Sequence, residues 1–337
     1  MRLNLNLSVL RKGPGKTIRL KKEGAMFAVF AGIAIGFGLA VQTAINSQLR
    51  KFVVSPFLAS MISFLVGTVF LAAATAVSRT PLGVPAGLFL NQPVWIWFGG
   101  ICGVIGLTSN ILLFPKLGSV QTTVMPILGM ILMGMLIDQF GWFHSIRQSF
   151  GINRAIGVFL VLAGVVFAVV VPEAIAKRHS AIEEQKGENI WIWRLLGIAA
   201  GMIMAVQAAI NGKLGTVLHS PVHAAFISFF VGSVVLVLIV GIKDRSFTNI
   251  KEPVKQSAPW WVWLGGIIGG LYILINVFLV DHIGTGQTVI LALFGQIAGS
   301  LVVERFGLFK SLKRRIVPVQ ILGLAIMLSG VILIKMF

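Results

Sequence analysis

The sequence predicts an all-α polytopic membrane protein, with ten transmembrane helices arranged as two inverted five-helix repeats. Three observations carry this. First, the 337 residues are 57% hydrophobic and only 11% charged, and runs of about 20 apolar residues, enough to cross the hydrocarbon core, recur along the whole chain. Second, the chain repeats itself. Gly32-Ile-Ala-Ile-Gly36, Gln42-Thr-Ala-Ile-Asn46, Ser55-Pro56 and Ser63-Phe64-Leu65-Val66-Gly67 return as Gly197-Ile-Ala-Ala-Gly201, Gln207-Ala-Ala-Ile-Asn211, Ser220-Pro221 and Ser228-Phe229-Phe230-Val231-Gly232, each 165 positions later. A fixed internal period settles architecture before any local reading does. Third, each repeat holds an odd number of spans. A short linker therefore makes the second repeat enter the membrane from the side opposite to the first, the inverted arrangement that typifies secondary transporters.

In chain order, residues 1–25 form a basic tail with Arg2, Arg11, Lys12, Lys16, Arg19, Lys21 and Lys22. The apolar run behind it exceeds the roughly 7–15 residues of a signal-peptide core, so it reads as a retained span. The first repeat covers 26–172, a polar linker 173–190, and the second repeat 191–337. Span 1 runs from about Met26 to Leu49 and span 2 from Pro56 to Val77. Ser55 suits the N-cap and Pro56 the first helical position, where a missing N–H costs nothing. Span 3 runs from about Val94 to Phe114, span 4 from Ser119 to Ile137 and span 5 from Ala155 to Val171. Spans 6 to 10 follow at about Trp191–Leu214, Pro221–Ile242, Trp260–Val280, Gly286–Val303 and Ile316–Met336. From span 3 onward the offset is 166, as in Trp97/Trp263, Gln121/Gln287 and Gly164/Gly330, so the loop between spans 7 and 8 has one residue more than its counterpart.

The formal charge of +18 does not indicate nucleic acid. The basic residues flank spans, where they meet headgroups, and no basic stripe interleaved with aromatics occurs. Trp95, Trp97, Trp191, Trp193, Trp260, Trp261 and Trp263 read as interfacial anchors. Cys102 has no second cysteine to pair with, and His223 reads as structural. No HExxH, GxSxG or Walker A signature is present, no catalytic set is evident, and neither a metal site nor a cofactor is expected.

Gly32 and Gly36, with their equivalents Gly197 and Gly201, form GxxxG pairs that let another helix approach. At about 100° per residue, Gly32, Gly36, Gln42 and Asn46 share an arc of about 120°, which should face the bundle because lipid offers amides no partner. Gln42, Asn46, Gln207 and Asn211 are therefore candidate pathway residues. The plain alternative is interhelical hydrogen bonding, worth about 0.6 kcal/mol per contact in membranes. Asn110/Asn276 and Gln121/Gln287 flank the loop between spans 3 and 4 and its counterpart, where they would contact solute or cap helix ends. Gln296, unrepeated, is a further pathway candidate. Asp138 and Glu304 are repeat-equivalent acids at span ends. Pairing with Arg147, Arg305 or Lys310 is the leading reading for them, and proton coupling the second.

The five-plus-five spans, the GxxxG pairs, the Gln-x-x-x-Asn pairs, and Asp138-Gln-Phe-Gly against Glu304-Arg-Phe-Gly together resemble the drug/metabolite transporter superfamily. Within it, the chain is similar to fused two-domain members of a little-characterised bacterial inner-membrane family with five spans per domain. The resemblance runs from Met26 to Phe337. It implies a multi-pass carrier of the cytoplasmic membrane, an exporter of small organic molecules, with spans 1–4 and 6–9 around an apolar central cavity and spans 5 and 10 at the periphery. The small multidrug-resistance relatives carry a glutamate in span 1. Here Gln42 is present and no acid.

The expected partners are thus a small-molecule solute and the bilayer, with no nucleic acid, and the fused repeats could act as a monomer. The alternative function is a channel or passive facilitator. A membrane-embedded enzyme stands third. Lysines and arginines crowd the side holding loops 1–2, 3–4, 5–6, 7–8 and 9–10, with Arg194 counted among them. By the positive-inside rule this places the termini outside. The basic tail and the superfamily's usual arrangement point to termini inside, the orientation adopted here.

Overall fold

A computed structural model describes residues 14–172, 174–175, 189–245 and 247–336. Most of the basic tail and of the linker, and the side chain of Asp281, lie outside the described residues. Counting only the long helices, the chain forms α1 (Pro14–Val53), α2 (Pro56–Val77), α3 (99–117), α4 (119–140) and α5 (Ile152–Val165, continued by a π-helical turn to Val170). The second set is α6 (Ile190–Val217), α7 (Pro221–Ile239), α8 (Gly265–Ile283), α9 (Thr285–Phe306) and α10 (Pro318–Met336). Among the described residues, eight helices are long and apolar enough to cross a membrane, and 99–140 counts as one of them. Its break at Gly118, and the shorter apolar helix Gly265–Val280, account for the remaining two segments.

Local chemistry sets the ends. Ser55 Oγ accepts from Leu58 N and Ser220 Oγ from His223 N, both at 3.2 Å, with Pro56 and Pro221 opening the helices behind them. Gly141 and Gly307 end α4 and α9 in the left-handed conformation that glycine tolerates. Spans 3 and 8 begin later than the sequence suggests. The tryptophans form separate 3₁₀ turns, Val94–Trp97 and Trp260–Trp263, ahead of each helix.

The two repeats meet through equivalent residues. Phe64 and Phe229 lie 5.0 Å apart between ring centroids, and Thr68 Oγ1 and Ser233 Oγ are 2.9 Å apart. Each pair is one residue and its own copy, so both pairs sit on a pseudo-two-fold axis. Gly67 packs on Phe229 while Gly232 packs on Phe64, so α2 and α7 run antiparallel. Gly157 faces Gly330 and Ile334, and Gly164 faces Gly323 and Met327, so α5 and α10 also run antiparallel. An axis that reverses membrane-crossing helices lies in the membrane plane.

The remaining helices exchange partners between repeats. α1 packs on α8 and α9, and α6 packs on α3 and α4. At the α1–α9 and α6–α4 crossings a glycine is pressed against backbone. A Cβ at Gly36 would fall on the carbonyl of Ala292, and one at Gly201 on that of Pro126. Gly295 and Gly129 return the contact, against the carbonyls of Ile33 and Ile198. Apolar burial gives little drive between helices already in lipid, so close backbone approach is what holds such a bundle together.

Candidate functional site

The repeated amides are seated on glycines of the other repeat. The Asn46 amide lies against Gly265, and Gln42 Nε2 is 2.7 Å from where a Cβ of Gly269 would be. The Asn211 amide lies against Gly99, and Gln207 Nε2 is 2.7 Å from the corresponding point at Gly103. Without a side chain on the glycines, an amide fits between the helices. The four amides do not form one site. They occur near the C-terminal ends of α1 and α6, which finish on opposite faces of the membrane. Asn46 is 0% exposed, and neither its Nδ2 nor its Oδ1 has a hydrogen-bond partner. Asn211 Nδ2 donates to Ser228 Oγ at 3.2 Å.

On the face where α1 ends, here the distal face, a polar cluster surrounds the start of α4. The chain breaks at Gly118 with φ 80° and ψ 179°, a conformation open essentially to glycine alone. Behind the break, Glu304 from α9, 5% exposed, accepts from Val120 N at 2.8 Å, and Arg314 donates to the Leu117 carbonyl at 3.3 Å. A carboxylate on a helix N-terminus is favoured both by the free N–H groups and by the dipole. The partners expected from sequence, Arg305 and Lys310, are thus replaced by the α4 N-terminus and Arg314. Gln121, one residue further, accepts from Arg194 Nε at 3.1 Å.

Arg194 is the residue that sequence reasoning misplaced. It is no loop residue. It is 2% exposed, and its guanidinium lies 4.6 Å from the centroid of the Trp191 ring. Its position inside the apolar run of span 6, with Val29 at the equivalent place, was a usable signal. A charge inside a span is costly and rarely idle.

On the terminal face, where α1 starts and α10 ends, the equivalents differ. Asp138 lies 3.8 Å from Arg154, rather than pairing with Arg147, and its side chain is 26% exposed. Gln287 is exposed and Asn276 half-buried, while Gln121 is buried and Asn110 half-buried. Gln207 and Asn211 are half-buried where Gln42 and Asn46 are buried. Gln296 is half-buried in α9.

These inequalities accompany a difference in packing between the two faces. On the distal face Ala44 of α1, Phe114 of α3 and Val303 of α9 close into an apolar plug backed by Val41 and Phe309. α1 thereby touches α3 of its own repeat, whereas α6 has almost no contact with α8 and α9. The bundle is sealed on one face and looser on the other. The expected central cavity is closed at the axis by Phe64 and Phe229. Two open cavities, of about 240 and 310 Å³, lie toward the two faces instead, one beside Val54 and Asp244, the other beside Arg154 and Lys335.

The family model described as "Putative inner membrane exporter, YdcZ" matches residues 27–167 and, a second time, 192–333. The chain belongs to this family. One match falls on each repeat, so this YdcZ-family protein is a tandem of two family units in one chain. Membership makes it a multi-pass inner-membrane protein of the transporter class. No curated protein matches the chain. A solved structure titled only "Crystal structure of protein" has a TM-score of 0.53 at 17% identity, over 90% of this chain and 97% of that one, which shows a shared fold.

Proposed function

We propose that the protein is a secondary transporter that exports a small organic solute across the inner membrane by alternating access. The supporting observation is the unequal cover of repeat-equivalent residues, with Gln121 buried and Gln287 exposed. Two copies of one sequence unit have similar intrinsic preferences. A molecule that closes one copy and loosens the other has broken its own symmetry, and the mirror arrangement is then close in free energy. In the present state Gln207, Asn211, Asn276 and Gln287 line the looser half. Gln42, Asn46, Asn110 and Gln121 would line its counterpart in the other state. Gln296, in α9, would add a contact made by one repeat only. The fused repeats let one chain complete the cycle.

Purified protein should show a thermal shift with members of a solute library. With the solute so found, proteoliposomes should show counterflow, in which solute on the trans side speeds uptake of label. A channel has no step that returns a loaded carrier, so flux without trans-acceleration would replace this reading with the facilitator.

A further inference from the structure

The break at Gly118 has an equivalent at Gly284, with φ 80° and ψ 162°. The loops behind the two acids also match. Gln148 N donates to the Asp138 carbonyl at 2.9 Å, and Arg314 N to the Glu304 carbonyl at 3.1 Å. The two ends of the bundle are therefore built alike, down to backbone hydrogen bonds. They differ in what the carboxylate holds. Glu304 reaches across to the α4 N-terminus of the other repeat and bonds Val120 N. Asp138, the equivalent acid at the other end, lies instead beside Arg154, and among the described residues no carboxylate lies within 4 Å of where a Cβ of Gly284 would be. A cavity of about 310 Å³, lined by Gln148, Arg154 and Lys335, opens on this face, and the Lys335 carbonyl lies close to Gly286, the equivalent of Val120.

We propose that Glu304 and Asp138 are reciprocal latches, one for each face, which position α9 against α4 in the two access states. With the distal face shut, Glu304 caps α4 and Asp138 is released to Arg154. With the terminal face shut, Asp138 leaves Arg154, caps α9 at Gly286 N, and Glu304 lets go. The pairing crosses between repeats in both states, so each latch ties the helix of one repeat to the carboxylate of the other. Aspartate is one methylene shorter than glutamate, so α4 and α9 must come nearer at the terminal face than they do at the distal one. No proton need move for this exchange. The N-terminal N–H groups and the arginine compete for one charge.

This inference rests on the alternating-access reading, yet it is measured without transport. In the full chain carrying Cys102→Ser, spin labels at 116 and 312 report the distal face. Labels at 146 and 282 are their repeat equivalents and report the terminal face. In otherwise unaltered protein the 116–312 distance should be short and narrowly distributed, and the 146–282 distance longer. Glu304→Ala should lengthen the first and shorten the second, changing the ratio of the two states by at least about tenfold, the lower bound of what one hydrogen bond to a charged group supports. Adding Asp138→Ala should abolish the shortening at 146–282. Glu304→Asp, which keeps the charge and folds with the least disturbance, should fall between Glu304→Ala and unaltered protein. If Glu304→Ala or Glu304→Asp alters the distal distance without altering the terminal one, or alters neither, the acids are local caps and the latch is overturned. If the distances exchange but no solute gives counterflow, the latch stands and the transport reading falls.

Discussion

Gly36→Leu and Gly201→Leu should each cost the protein most of its folded yield. A Cβ at Gly36 would overlap the carbonyl oxygen of Ala292, and one at Gly201 that of Pro126. No side chain can rotate away, because the obstacle is backbone. α1 must move off α9, or α6 off α4, and each of those crossings is the main contact of its helix. Overpacking of a tight core costs about 1–3 kcal/mol, occasionally more. These positions belong at or above the top of that range, since a whole helix must shift. The matching control is Val69→Leu, at a position 71% exposed on α2, which should leave melting unchanged. Thermal unfolding of the three variants in detergent checks this. Equal stability of all three would remove the glycine seam from the account.

The second large effect belongs to the two helix breaks. Gly118→Ala and Gly284→Ala both force an L residue into a region open essentially to glycine, at about 1–3 kcal/mol. They should not cost the same. A Cβ at Gly118 would lie 3.1 Å from Glu304 Oε2 and 3.5 Å from Arg314 Nη1, whereas nothing lies within 4 Å of one at Gly284. Gly118→Ala therefore adds displacement of the buried carboxylate to the backbone strain, and should be the less stable of the two. In a background of Glu304→Ala the difference should vanish, because the obstruction is gone. That double-variant comparison isolates the contact from the strain common to both sites.

Why some of this was legible from sequence follows from the kind of signal involved. The spans and the repeat were readable because lipid imposes length and apolarity, and duplication imposes register. The same register exposed the Ser-Pro caps and the matched pairs Gln42/Gln207 and Asp138/Glu304. Periodicity gives the face of a helix and not its partner. It placed Gln42 and Asn46 inward, but not on Gly269 and Gly265, because that contact crosses between repeats. For Glu304 the reading looked to Arg305 and Lys310, its neighbours in sequence, whereas the fold supplies Val120 N from a residue 184 positions away. Arg194 is obscured for a different reason. It stands close to the polar linker, where a basic residue reads as part of a loop, although it lies inside an apolar run. The difference between the two faces had no sequence signal at all. Nearly equal halves do not say which of them is closed.

If one face is shut while the other is accessible, a repeat-equivalent pair of cysteines should label unequally. Gln121→Cys and Gln287→Cys, each with Cys102→Ser, would be treated with a membrane-impermeant thiol reagent applied to one face at a time. Position 287 should react from the terminal face, position 121 should be protected from both faces, and saturating solute on the distal side should raise labelling at 121 from the distal face while lowering it at 287. Simultaneous reaction of both positions, each from its own face and unaffected by solute, would contradict the closure of one face.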